Sequence, residues 1–164
     1  MPLTPIALLF AFLLLAAAAV DFLEQRIPNW IVLALAALFV VQAIRHNGEV
    51  SWVNQAGTSL ALLAIGLGLY AVGQLGAGDA KLMAAVGLWA GAFAVFAMLL
   101  LISISGAVFA GLLVAARRLV PWMRWDPHGR RPQALVTGGG VPYGVAIAAG
   151  TLLSLRFFPA WLWR

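Results

Sequence analysis

No cysteine occurs among the 164 residues of this chain, which excludes disulfide bridges, Cys-ligated zinc and a thiol nucleophile. Charge is nearly as scarce. Charged residues make up 9% of the sequence, where a soluble domain carries about 25%. Only five residues are acidic: Asp21, Glu24, Glu49, Asp79 and Asp126. The two histidines, His46 and His128, lie far apart and offer no metal-ligand spacing. No internal repeat and no second domain stand out. So little charge, together with the apolar excess described next, rules out a soluble enzyme, a nucleic-acid-binding domain and a disordered chain.

What the chain has is apolar surface. Hydrophobic residues make up 64% of it, more than a water-soluble fold of this size covers, so its solvent is lipid. The net charge of +5 then reports membrane orientation rather than nucleic-acid binding. Polar breaks at 21–29, 45–53, 76–81 and 117–140 leave apolar segments at 3–20, 30–44, 54–75, 82–98, 99–116 and 141–160. A spanning helix needs roughly 17–25 residues, so the second segment is short. The expected fold is all-α: a polytopic membrane helical bundle of about six spans, with residues 1–164 forming one domain.

The stretch Leu82 to Ala116 contains 35 residues and no charge. As one helix it would be about 52 Å long, against a hydrocarbon core of about 30 Å. Two spans with a turn near Trp89–Gly91, or slightly later, fit better than one long tilted helix. Six spans put Arg26, Lys81, Arg117, Arg118, Arg124, Arg130 and Arg131 on one side, and Arg45, Arg156 and Arg164 on the other. The basic side is cytoplasmic, so both termini are expected outside. Trp30, Trp52, Trp122, Trp125, Trp161 and Trp163 fall near span ends, as interfacial belts require. The Ala16–Ala19 run resembles a signal-peptide cleavage site, but no basic residue precedes it; a retained first span is expected.

The carboxylates carry the chemistry. Glu49 and Asp126 lie in polar loops and read as solvated surface. Asp21 ends an apolar span and Asp79 begins the long apolar stretch, and a carboxylate at membrane depth is costly enough to suggest function. Two spans separate them, and an even number of crossings returns the chain to its starting side. Both therefore lie at one face, where they can meet. A close carboxylate pair shares one proton. One member then draws a proton from an attacking water while the other polarises a peptide carbonyl, which is aspartyl proteolysis without a metal or a covalent intermediate. Gly76 and Gly78, flanking Ala77 before Asp79, permit a sharp bend and the close approach of a substrate backbone. Asp79 sits at a helix N-terminus, where the dipole favours an anion; a structural N-cap is the plain alternative.

Gly76-Ala77-Gly78-Asp79-Ala80-Lys81 resembles the G-x-G-D-x-K signature of the prepilin peptidases, the type IV leader peptidase family of membrane aspartic proteases. Asp21 followed by Arg26-Ile27-Pro28-Asn29 is similar to that family's first aspartate motif. Val141-Pro142-Tyr143-Gly144, opening the last segment, resembles a third, P-x-G element. The resemblance covers essentially the whole chain. It implies that Asp21 and Asp79 are the catalytic pair, without cofactor or metal. It implies a prepilin or pseudopilin substrate, whose short basic leader is cleaved at the cytoplasmic face of the bacterial inner membrane. Longer members carry an N-terminal domain with paired Cys-x-x-Cys zinc ligands and also N-methylate the product. This cysteine-free chain has no such segment before its first span, so methyl transfer is not expected. It is closer to the short peptidases of tight-adherence (Flp-type) pilus systems.

Supporting roles are expected for Gly76, Gly78, Lys81, Pro28, Asn29, Pro142 and Gly144. Pro28 and Asn29 start the second helix, with Asn as cap, and Lys81 snorkels to the interface. Glu24 reads as a solvated loop carboxylate, although contact with a basic leader is open to it. Pro142 and Gly144 either loosen the last span or, for Pro142, start its helix. Gly138-Gly139-Gly140 is a linker, since a phosphate-binding loop needs Lys and Ser/Thr at fixed offsets. The partners expected are the lipid bilayer and the precursor substrate, and not nucleic acid. The competing reading is a non-enzymatic membrane transporter or pilus-assembly subunit in which the two aspartates bind a proton or cation.

Overall fold

The structure is a computed structural model that describes residues 4–119, 133–135 and 140–163. Trp122, Arg124, Trp125, Asp126, His128, Arg130, Arg131, Gly138, Gly139 and Arg164 lie outside the described residues, as does the side chain of Trp163. The chain is an all-α membrane helical bundle built from α1 (Pro5–Glu24), α2 (Asn29–Arg45), α3 (Trp52–Ala71), α4 (Ala77–Leu119) and α5 (Tyr143–Ser154). Among these, α1, α3 and α4 are long and apolar enough to cross a membrane, and α2 and α5 are shorter apolar helices.

Local signals fix the ends. Thr4 caps α1, its Oγ1 accepting from the Ala7 N–H at 3.3 Å, with Pro5 at the first helical position. At the other end Gln25 adopts the left-handed conformation, φ 52°, and its N–H donates to the Asp21 carbonyl at 2.8 Å.

Helix α4 is two arms. At Gly91 φ is 59° and ψ is −178°, a backbone conformation open essentially to glycine alone, and the helix breaks there. The break falls in the Trp89–Gly91 window read from the sequence. The arms therefore cover 77–90 and 92–119, not 82–98 and 99–116: the first begins five residues early, recruiting the polar Gly78-Asp79-Ala80-Lys81 into its opening turns. The second arm folds back toward the end where the first began. Met83 of the first arm lines one cavity with Leu99, Ile102 and Gly106 of the second, and Phe109 lies edge-on to Phe22, 6.4 Å between ring centroids. Asn54 accepts from the Ala92 N–H at 2.7 Å, closing the turn against the start of α3.

Small residues let the helices touch. A Cβ on Gly66 would stand 2.8 Å from the Cβ of Ala80, and one on Gly87 2.7 Å from Leu62 Cδ1, while Ser59 Oγ donates to the Ala84 carbonyl at 2.8 Å. Gly150 meets the Ile102 backbone. Close backbone approach through small residues is how helices associate in lipid, where water supplies no hydrophobic drive. The aromatic core stands on Trp89, fully buried between Phe10 at 4.5 Å and Phe39 at 5.8 Å, with its Nε1 donating to the Leu35 carbonyl at 3.1 Å. The outer surface is apolar: Phe12, Leu33, Phe93 and Phe96 are all exposed.

Trp161 departs from the interfacial-belt expectation. It is buried against Phe39, 6.2 Å away, because α5 ends at Ser154 and the tail turns inward, where Gln42 Nε2 donates to the carbonyls of Trp161 and Leu162. Trp30 and Trp52 are exposed as expected.

Candidate active site

The loops 25–28 and 72–76 and the start of α5 gather at one end of the bundle. There Asp21, in the last turn of α1, and Asp79, in the first turn of α4, are both buried, at 5% and 8% exposure. They lie within electrostatic reach of one another and line the same open cavity of about 500 Å³.

Each carboxylate is held by a helix terminus, and differently. Asp21 Oδ2 accepts from the Gly144 N–H at 2.8 Å; the side chain sits at the N-terminus of α5, where unsatisfied N–H groups and the helix dipole favour an anion. Asp79 is the third residue of its helix, not the cap. Its Oδ2 reaches back to the Gly76 N–H at 3.2 Å, half of a capping box. Asp79 Oδ1 is buried with no hydrogen-bond partner among the described residues, so the carboxylate is only half satisfied by the protein around it.

The glycines serve proximity rather than bending. Neither Gly76 nor Gly78 has positive φ. A Cβ on Gly76 would stand 2.7 Å from Asp79 Oδ2, one on Gly78 3.1 Å from Ile27 Cβ, and one on Gly144 2.8 Å from Asp21 Oδ2. The neighbour each admits is a protein group, chiefly a carboxylate. Pro142 takes the N-cap position of α5 and Pro28 that of α2. Asn29 does not cap: it is the first helical residue, and its Oδ1 accepts from Lys81 Nζ at 3.1 Å. Lys81 thereby joins the loop after α1 to the opening of α4, in addition to being exposed. Glu24 and Arg26, both exposed, border the cavity. Among the described residues no three of His, Cys, Asp and Glu are grouped as metal ligands.

Two contributors escaped the sequence reading. Gln25 Nε2 donates to the Gly140 carbonyl at 2.7 Å, and Arg117 Nη2 donates to the same oxygen at 2.8 Å. Neither residue type carries a signal for such a contact at separations of 115 and 23 positions.

A family model described as the type IV leader peptidase family matches residues 8–111, a stretch containing both aspartates. No curated protein matches the chain, and no solved structure does.

Proposed function

The chain belongs to the type IV leader peptidase family, and from that premise we propose that it is an aspartic endopeptidase in which Asp21 and Asp79 form the catalytic pair. The observation that carries this reading is the pairing of two buried carboxylates, from helices far apart in sequence, over one open cavity, with Asp79 Oδ1 unpartnered. A water seated between the carboxylates gives a proton to one as it attacks the scissile carbonyl, and the other donates a hydrogen bond to the carbonyl oxygen. The tetrahedral intermediate collapses as the amine leaves with a proton from the pair. Neither aspartate becomes covalently attached. Gly76, Gly78, Pro28, Asn29, Lys81, Pro142 and Gly144 position the pair rather than react.

The substrate in this reading is a type IV prepilin or pseudopilin, of the Flp type, cleaved after its basic leader. Residues 1–164 act as one integral-membrane peptidase domain in the bacterial inner membrane, with the site facing the cytoplasm. Supporting that side, the described basic residues Arg26, Lys81, Arg117 and Arg118 belong to the site end of the bundle, and Arg45 and Arg156 to the far end.

The test is to reconstitute the protein in liposomes with candidate prepilins from the same genome and follow the loss of the leader as a mobility shift. Cleavage at a single bond ahead of an apolar segment is expected. Proton or cation flux without cleavage of any candidate would favour the transporter reading instead.

A further inference from the structure

The Gly140 carbonyl is a shared anchor. It lies four residues before Gly144, whose N–H holds Asp21. Gln25 approaches it from the end of α1 and Arg117 from the end of α4, at 2.7 and 2.8 Å. Arg117 also donates through Nε to the Ala134 carbonyl at 3.0 Å, so its guanidinium is fixed from two directions. Gln25 is the one described non-glycine residue with positive φ. Glycine is the default residue at such a left-handed helix cap, and here a glutamine stands in that conformation with its side chain spent on Gly140.

We infer that Gln25 and Arg117 are positioning residues that clamp the start of α5 against Asp21. Through Gly140 they hold the Gly144 N–H on Asp21 Oδ2 and so set the place of one carboxylate relative to the other. The path is short and continuous: Gln25 N–H to the Asp21 carbonyl, Gln25 side chain to Gly140, then three residues to the N–H that meets the Asp21 carboxylate. The inference deepens the peptidase reading and rests on it for its kinetic consequence, but the clamp itself is a statement about geometry.

Gln25→Gly separates clamp from cap. If Gln25 only ends α1, glycine relieves the left-handed backbone and the variant is at least as stable and fully active. The clamp shares the unchanged or raised unfolding midpoint but predicts a different kinetic outcome: KM within about twofold and kcat down by about tenfold or more, the scale on which small misplacements of reacting groups are felt. Arg117→Ala is expected to lower kcat likewise, and Arg117→Lys, which retains a donor, to recover part of it.

A second readout needs no activity. Because the chain has no cysteine, spin labels on cysteines introduced at the exposed Leu23 and Tyr143 report the separation of α1 and α5 without background. The distance distribution is expected to be narrow in the parent and broader in Gln25→Gly. If the parent fails to cleave any prepilin but the distribution broadens, the peptidase reading falls and the clamp stands. An unchanged distribution, or full kcat in Gln25→Gly, overturns the clamp.

Discussion

The backbone N–H of Gly144 donates to the Asp21 carboxylate at 2.8 Å across 123 positions of sequence. Helix α5 is thus docked, N-terminus first, on a side chain of α1, in a buried contact made by the same Asp21 that lines the cavity. The approach is possible because residue 144 has no Cβ: one built there would stand 3.0 Å from both Cβ and Cγ of Asp21.

Gly144→Ala is therefore expected to displace the Asp21 carboxylate and lower kcat by about 100-fold, with the protein still inserted and folded. Gly76→Ala is expected to act similarly through Asp79, whose Oδ2 would lie 2.7 Å from the new methyl. Gly57→Ala and Gly68→Ala, which open onto free space, should leave activity within about twofold. Cleavage rates at matched protein levels distinguish the two groups.

Gly91 carries the reversal of α4, so its substitution is a stability matter. Gly91→Ala forces a side chain into a glycine-only conformation, at about 1–3 kcal/mol, and drives the new methyl into the Gln55 side chain. The unfolding midpoint in detergent should fall. An unchanged midpoint would mean that the arms are joined by some other geometry.

Reporter fusions after Arg118, at the end of the second arm, should behave as cytoplasmic, as should fusions within the Arg-rich 117–140 segment. An external signal there would reverse the side assigned to the site.

Chelators should leave leader cleavage intact, since a carboxylate pair activates water by sharing a proton. Activity lost to chelator and restored by zinc would contradict the pair mechanism.

The architecture was legible in the sequence wherever it depends on polarity. Charge-free runs marked the helices, and the parity of crossings placed Asp21 and Asp79 at one end. The break in the long stretch was legible because 35 apolar residues overfill a bilayer. Harder to read was anything set by side-chain reach. Asp79 does lie at a helix N-terminus, but the cap that was its plain alternative reading falls to Gly76, and Asp79 is the third helical residue. Gly76 and Gly78 looked like hinges, yet their φ values are ordinary and what they provide is room. Asn29 looked like a cap and serves Lys81 instead. Trp161 looked interfacial until the chain turned inward after Ser154. Gln25 and Arg117 gave no signal, since ordinary polar residues near a helix end are usually solvated.

The most direct test of the catalytic pair is a panel of six variants: Asp21→Asn, Asp79→Asn, their double mutant, Glu24→Gln, Glu49→Gln and Asp126→Asn. Asparagine keeps the shape of aspartate but cannot exchange the proton. Precursor cleavage, measured in membranes at matched protein levels, should fall by several orders of magnitude in each single dyad variant. The double mutant should be scarcely worse, because groups that act as a unit are not additive. The three remaining variants should keep most of their activity. Near-normal cleavage by Asp21→Asn or Asp79→Asn, or an equally severe loss in one of the other three, would contradict the assignment.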